Sequence, residues 1–327
     1  MFLKTHNLLF LSCVILGTFI TISSNNWFTA WIGLEINLLS MTPLILNKLD
    51  SNLSEAAIKY FLTQALASLF IIISSMVILS LSSVFSLENK NILLTMAILI
   101  KAGMVPFHYW FPQVIKLLKW TQCLMMITWQ KIAPLFLISF LENKLMIMAS
   151  LFSAMLGSLM GLNQNNLKIL ITYSSIAHSG WMALACIIKT SILIFYFMVY
   201  SLISLSIILI LKTLKIFKIN QIKTMNINLY LYTFAVNMLS LGGLPPLLGF
   251  LAKLSVIILV INLNMKLLFL MLIISSLISL FFYTRIIYSL ILLKFFKKNI
   301  QFNMKSQAMN YFLYLSILAN LTTPFLI

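Results

Sequence analysis

The chain is 327 residues long, 62% hydrophobic and only 8% charged, with a mean hydropathy of +1.07, a composition that excludes a soluble globular domain and a disordered chain alike. Spans of about 20 apolar residues cross a hydrocarbon core of roughly 30 Å, so this length holds about ten or eleven of them, with almost nothing left over for a soluble domain. The formal net charge of +17 raises the question of nucleic acid, but the lysines are scattered at helix ends with no aromatic-interleaved basic region around them, so no nucleic-acid partner is expected.

In chain order, breaking the hydropathy at polar and charged loops predicts an all-α polytopic protein with spans near 3–22, 25–46, 56–82, 91–119, 122–141, 145–163, 166–187, 190–212, 228–262, 265–294 and 308–327. The first of these lacks a charged leader and a small-residue cleavage site and reads as a real span. Eleven spans put the termini on opposite sides. Fourteen lysines then fall on the N-terminal side, against Lys90, Lys144, Lys189 and Lys266 on the other, with Lys101, Lys131, Lys253 and Arg285 inside spans. This positive-inside bias places the N-terminus on the matrix or cytoplasmic side. Cys13, Cys123 and Cys186 stand far apart with no CxxC, which offers neither a disulfide framework nor an iron-sulfur or zinc site, and no cofactor is expected in this chain.

The fourth and ninth spans are interrupted. In the fourth, Leu99–Pro112 reads LIKAGMVPFHYWFP, where Gly103 and Pro106 break the helix just after Lys101. In the ninth, paired glycines and paired prolines in LGGLPPLLGF, Leu241–Phe250, precede Lys253. Each break is the fourth helix of a five-helix unit. An odd number of spans per unit inverts the second copy, which is the plan of transporters with broken helices at mid-depth. The expectation is a single membrane domain, 1–327, made of a first repeat at 1–141, an inverted repeat at 145–294 and an added C-terminal helix at 308–327.

Of the five carboxylates, Asp50, Glu55, Glu88 and Glu142 sit in loops or at helix ends, and Glu35 alone is deep, about ten residues into the second span, or roughly 15 Å. Lys101 and Lys131 lie equally deep, too far for their ammonium groups to snorkel readily to the headgroups, and His178 lies about twelve residues into the seventh span. Both repeats thus place a titratable group on their second helix and a lysine beside the break of their fourth. Burial disfavours a charged ammonium and a nearby carboxylate favours it, so moving such a pair together or apart loads or releases a proton. A histidine between lysines accepts and donates near neutral pH, and broken helices supply backbone groups that hold water. One charge crossing the field is worth about 2.3 kcal/mol per 100 mV, so such a machine needs an external energy source. The plainer alternatives are a static Glu35–Lys101 ion pair and a His178 that simply bonds a neighbouring helix. His108, set among Phe107, Tyr109 and Trp110, reads as a structural or interfacial group, His6 as a solvated terminal residue, and Arg285 as structural.

At these residues the chain resembles a known family. WIGLEINLLSMTPLI around Glu35, IKAGMVPFHYWFPQV around Lys101, TWQKIAPLFLI around Lys131, YSSIAHSGWM around His178 and LSLGGLPPLLGFLAKL around Lys253 look like the antiporter-like membrane subunits of respiratory complex I, the proton-pumping NADH:ubiquinone oxidoreductase. The matches run in order over most of the chain and are weakest in the loop after the eighth span and in the C-terminal third outside the ninth. Eleven spans resemble the shortened animal form, which lacks the first three helices of the full-length members. The resemblance implies that Glu35 pairs with Lys101, that Lys131 connects toward the middle, that Lys253 lies on the route to the outer side and that His178 is a relay. It implies a non-redox subunit of the mitochondrial inner membrane, with its C-terminus on the intermembrane-space side. FMN, iron-sulfur clusters and ubiquinone belong to other subunits. The partners implied are the other membrane-arm subunits, especially the antiporter-like subunit 4 and subunit 4L, with accessory subunits and lipids. A stand-alone cation/proton antiporter and a purely structural membrane subunit are the competing readings.

Overall fold

The computed structural model describes residues 5–46, 50–80, 92–141, 144–224, 228–294 and 320. Among them the chain is helical, without strands; an isolated bridge between Asn166 and Lys218 is the one β-type contact. Helices follow from the solvent: with no water in hydrocarbon, each backbone N–H and C=O must be satisfied within its own segment. Serine and threonine hydroxyls obey the same constraint by folding back onto carbonyls three or four residues earlier, as Thr18 does on Ile15 at 2.7 Å and Ser40 on Ile36 at 2.7 Å. Seven of the described helices are long and apolar enough to cross a membrane.

Residue contacts divide the chain into two compact units, Met1–Ser153 and Ala154–Ile327. The first contains α1 (Thr5–Ser23), α2 (Trp27–Ile45), α3 (Ser51–Ser80), α4 (Ile92–Ala102), α5 (Trp110–Leu117), α6 (Trp120–Ile127) and α7 (Trp129–Ile138), and α8 (Lys144–Gly161) carries the chain across the boundary. The second contains α9 (Leu167–Ile188), α10 (Thr190–Leu214), a 3-10 turn at Ile219–Thr224, α11 (Asn228–Gly242), α12 (Leu248–Asn262) and α13 (Lys266–Lys294).

In the first unit α1 packs closely on α2, α2 on α3, and α3 on both α4 and α5, while α7 touches α1, α4 and α6. Glycine permits the tightest of these approaches: a Cβ on Gly17 would lie 2.8 Å from the Gly33 carbonyl oxygen, so α1 and α2 meet backbone to backbone, as small residues allow between helices in lipid. In the second unit α9 is the most enclosed helix, with most of its side chains buried, packed against α10, α12 and α13. A Cβ on Gly157 would sit 2.6 Å from the Ala177 nitrogen, so the end of α8 presses directly onto α9.

The interruption expected at 91–119 is present: α4 stops at Ala102 and α5 starts at Trp110. The one expected at 228–262 is present between Gly242 and Leu248. Both ends are closed by the same device. Gly103 (φ +66°) donates to Ile100 at 3.1 Å and Met104 to Leu99 at 3.0 Å; Gly243 (φ +85°) donates to Ser240 at 3.1 Å and Leu244 to Leu239 at 3.3 Å. These paired bonds cap the final carbonyls around a left-handed residue, a conformation that glycine adopts without a Cβ penalty. The prolines that follow, Pro106 and Pro245–Pro246, prevent the helix from resuming.

The fifth span differs from expectation. It was expected as one helix over 122–141, but Thr128 (φ −107°, ψ −75°) divides it into α6 and α7. The Thr128 hydroxyl bonds the Leu124 carbonyl at 2.7 Å, competing with the helical ladder at that point. Pro134 inside α7 adds a missing donor one turn beyond Gln130. The third span begins at Ser51 rather than near 56, so Glu55 lies within α3 and pairs with Lys59 at 2.6 Å. The expected span 308–327 falls outside the described residues except for Asn320, whose amide donates to Asn237 Oδ1 at 2.9 Å.

Candidate functional site

The site of the first unit is assembled from three helices and a break. Lys101 occupies the last turn of α4, the end at which a helix carries partial negative charge and favours a cation. One of those carbonyls, that of Ile100, also accepts from Trp110 Nε1 at 3.1 Å, which ties the far side of the break back to the near side. Lys131, on α7, lies 5.1 Å from the centroid of the Phe111 ring, in the range of a cation-π contact. Both lysines are buried, at 7% and 3% exposure. The restart of the helix at α5 therefore furnishes one wall of the site through Trp110 and Phe111.

Glu35 on α2 is half-buried and acts electrostatically on Lys101 and on Tyr60. Among the described residues the ion pairs within 4.0 Å are Lys59–Glu55 and Lys119–Asp50, so Glu35 and Lys101 interact across a longer separation than a contact pair. Uncharged groups lie alongside them. Tyr60 donates its hydroxyl to Gln130 Oε1 at 3.4 Å, and Gln130 Nε2 donates to Asn37 Oδ1 at 2.8 Å. Lys101, Lys131, Tyr60, Gln64, Asn37 and Gln130 all line a cavity of about 20 Å³, enough for a single water with several polar partners.

The site of the second unit has different chemistry. Residues 154–327 contain no aspartate or glutamate. Lys253, on α12, instead reaches back across the break and donates from Nζ to the Gly242 carbonyl at 2.9 Å, while its ammonium stands 5.9 Å from the Trp181 ring centroid. Gly243 leaves room for this: a Cβ there would lie 3.0 Å from Lys253 Cδ. Gly249 is equally constrained, since a Cβ on it would collide with the Ser240 carbonyl. His178, on α9, is hydrogen-bonded through Nδ1 to the Tyr196 hydroxyl at 2.9 Å, and the Tyr200 ring lies 5.1 Å from the imidazole. A cavity of about 10 Å³ is lined by His178, Tyr196, Tyr200, Ser240, Leu241 and Gly249.

The structure thus brings Glu35, Lys101 and Lys131 together in one unit and His178 and Lys253 into the other, each lysine site beside a broken helix. Sequence reasoning missed Tyr60, Gln64 and Gln130 in the first unit and Tyr196 and Tyr200 in the second. For Gln64 and Gln130 a signal was available, since they are amides inside apolar spans. His108 is buried against Tyr109, with ring centroids 4.3 Å apart. Among the described residues no group of three or more His, Cys, Asp or Glu is placed to hold a metal ion.

Buried lysines at the two breaks of a membrane-spanning helical chain define an antiporter-like membrane protein, and comparison with known proteins agrees. A family model described as NADH:quinone oxidoreductase/Mrp antiporter, transmembrane, matches residues 24–279, well over half of the sequence, and the chain belongs to this family. NADH-ubiquinone oxidoreductase chain 2 of Anopheles gambiae is 47% identical over 263 residues, covering 78% of this chain and 76% of the relative. The protein of the same name from Locusta migratoria is 39% identical over 263 residues, 77% of this chain and 76% of its own length; that of Lumbricus terrestris is 36% identical over 271 residues, 79% and 78%. Among solved structures, a chain of respiratory complex I from Thermus thermophilus superposes with a TM-score of 0.85 over 98% of this chain and 78% of its own, at 24% identity. A chain of the Mrp complex from Dietzia sp. gives 0.73 over 85% and 59%, at 17% identity. These two likenesses establish the shared fold.

Proposed function

We propose that this chain is a non-redox, proton-translocating subunit in the membrane arm of an NADH:ubiquinone oxidoreductase of the mitochondrial inner membrane. The relatives named as chain 2 of that enzyme support the assignment at the level of the complex. Protons are held and passed by Glu35, Lys101 and Lys131 in the first unit and by His178 and Lys253 in the second, driven by quinone reduction in other subunits, where FMN, the iron-sulfur clusters and ubiquinone reside. The neighbours are the antiporter-like subunit 4 and subunit 4L, with accessory subunits and lipids around them. The chain makes eleven spans as two inverted five-helix repeats, here with the fifth span also divided, and its N-terminus faces the matrix and its C-terminus the intermembrane space.

The observation that carries this reading is that a buried lysine stands at each capped break, Lys101 in the last turn of α4 and Lys253 bonded to the carbonyl end of α11. A lysine retained in hydrocarbon marks a functional path. The lengthened Glu35–Lys101 separation also disfavours a static ion pair, because a structural pair in a dry interior needs close, fully hydrogen-bonded geometry to offset its desolvation. The test is NADH oxidation measured together with proton translocation in sealed vesicles carrying the whole complex, native against Lys101→Ala. Normal assembly with translocation reduced by about tenfold, roughly one factor of 1.4 kcal/mol in a barrier, supports the reading. Unchanged translocation at normal assembly makes the chain a scaffold.

A further inference from the structure

His178 needs an orienting partner if it is to exchange protons, because an imidazole has two distinct nitrogens and a loose ring presents either of them. Carboxylates and backbone carbonyls are the usual orienters, yet residues 154–327 contain no carboxylate side chain. What stands against Nδ1 is a phenol: the Tyr196 hydroxyl at 2.9 Å, with both residues buried, at 6% and 2% exposure. A hydroxyl both donates and accepts, whereas a carbonyl or carboxylate only accepts. It can therefore accept from Nδ1–H when that nitrogen carries a proton and donate to Nδ1 when it does not.

We propose that Tyr196 is a positioning residue for His178, its hydroxyl holding Nδ1 in every ionisation state so that proton exchange runs through Nε2. The inference rests on the proton-translocating reading of the chain and deepens it. The surroundings fit a ring held in place. His178 and Tyr196 share the walls of the 10 Å³ cavity with Ser240 and Leu241 at the end of α11 and Gly249 at the start of α12. Tyr200, one turn along α10, adds a second ring 5.1 Å from the imidazole, tilted 41° to it.

The titratable and charged groups on the helices packed around α9 that bear on this pair are few. From α10 they are Tyr196 and Tyr200 themselves; from α12, Lys253, over Trp181 of α9; from α13, the buried Tyr283, with Arg285 two residues further on. The α11 residues that reach the cavity, Ser240 and Leu241, carry no charge. In the proposed step no covalent bond to carbon changes: Nε2 takes up a proton from one neighbour to give the imidazolium and then gives that proton up to the next, while Nδ1 keeps its own and Tyr196 stays a neutral phenol throughout.

The experiment is the pH profile of proton translocation per NADH oxidised, in sealed vesicles carrying the whole complex, for native, Tyr196→Phe and His178→Gln forms normalised to assembled complex. Phenylalanine keeps the ring and the packing and removes the hydroxyl alone. The expected result is a Tyr196→Phe complex that assembles, translocates about tenfold less, as befits loss of one hydrogen bond to a group that becomes charged, and has the midpoint of its pH profile displaced by about one unit. An undisplaced profile and native translocation in Tyr196→Phe, with His178→Gln impaired, overturns the proposal and leaves the proton-translocating reading standing. Native translocation in His178→Gln overturns it as well, and Lys101→Ala then decides the broader reading by itself. If Tyr196→Phe fails to assemble, Tyr196→Gln, which restores a donor and an acceptor, is expected to translocate more per assembled complex than Tyr196→Leu. Equal values for the two overturn the proposal.

Discussion

The two units solve one physical problem with opposite materials. Each buries a lysine beside a broken helix and caps the break with a glycine in the left-handed region. The first sets its lysines beside a row of amides and a phenol, Asn37, Gln64, Gln130 and Tyr60, around a cavity of about 20 Å³, with the Glu35 carboxylate acting on Lys101 from further off. The second has no carboxylate to offer; it gives Lys253 a backbone carbonyl and an indole face, and sets His178 with its phenol partner on a cavity of half that size. The difference teaches that a carboxylate is not required to keep an ammonium in hydrocarbon. The carbonyl end of an interrupted helix supplies a partial negative charge of similar use, at fixed position and with no titration of its own.

The largest effect is expected where the second unit has no slack. Gly249→Ala drives a methyl into the Ser240 carbonyl, backbone against backbone with no flexible side chain to yield, at a cost of about 3 kcal/mol or more. Assembled complex on native gels is expected to fall below about a tenth of the native amount, the factor that 1.4 kcal/mol already gives. Retention of native levels would show that α11 and α12 separate easily and that the break is not the rigid element described above.

A smaller but sharper effect is expected from Lys253→Arg. The guanidinium keeps a donor for the Gly242 carbonyl and a cation for Trp181, yet it does not release its proton. Assembly is expected to persist while translocation per NADH drops by about tenfold, a change of some 1.4 kcal/mol in the limiting step. Native translocation in this variant would make Lys253 an anchor, and the second unit would then differ from the first in role as well as in composition.

The smallest effect belongs to the amide bridge of the first unit. Gln130→Leu removes the bonds to Tyr60 and Asn37, each worth about 1 kcal/mol net. The complex is expected to assemble, to lose a few degrees of thermal stability and to translocate a few-fold more slowly. An unchanged thermal midpoint together with unchanged translocation would mean that the polar lining of the first site is incidental to it.

Much of this was readable from residues alone, for a physical reason in each case. Gly103 and the Gly242–Gly243 pair, followed by prolines, admit little else than a helix end, and lysines at 101 and 253 in apolar runs are conspicuous because charge is costly there. The division at Thr128 was not readable: a threonine inside an apolar span usually back-bonds without breaking the helix, and only the local dihedrals reveal that this one does. Nor were Tyr196 and Tyr60 readable as site residues. Tyrosines are common at membrane interfaces and in packing, and nothing in their spacing says which hydroxyl finishes beside His178 and which beside Gln130. The spacing of Glu35 from Lys101 was likewise a matter of helix packing, which sets side-chain separations that sequence position alone does not.

The Lys253 hydrogen bond also bears on the order in which the chain acquires its structure. Its acceptor is eleven residues away, on the other side of the same break, so closing a short loop satisfies that donor without help from any distant helix. The Gln130–Asn37 bond joins residues 93 apart and waits until α2 and α7 have found each other, and loop-closure entropy grows with that distance. One lysine is therefore provided for locally, as soon as its own interrupted span forms, whereas the polar surroundings of the others exist only after a unit's worth of helices has come together.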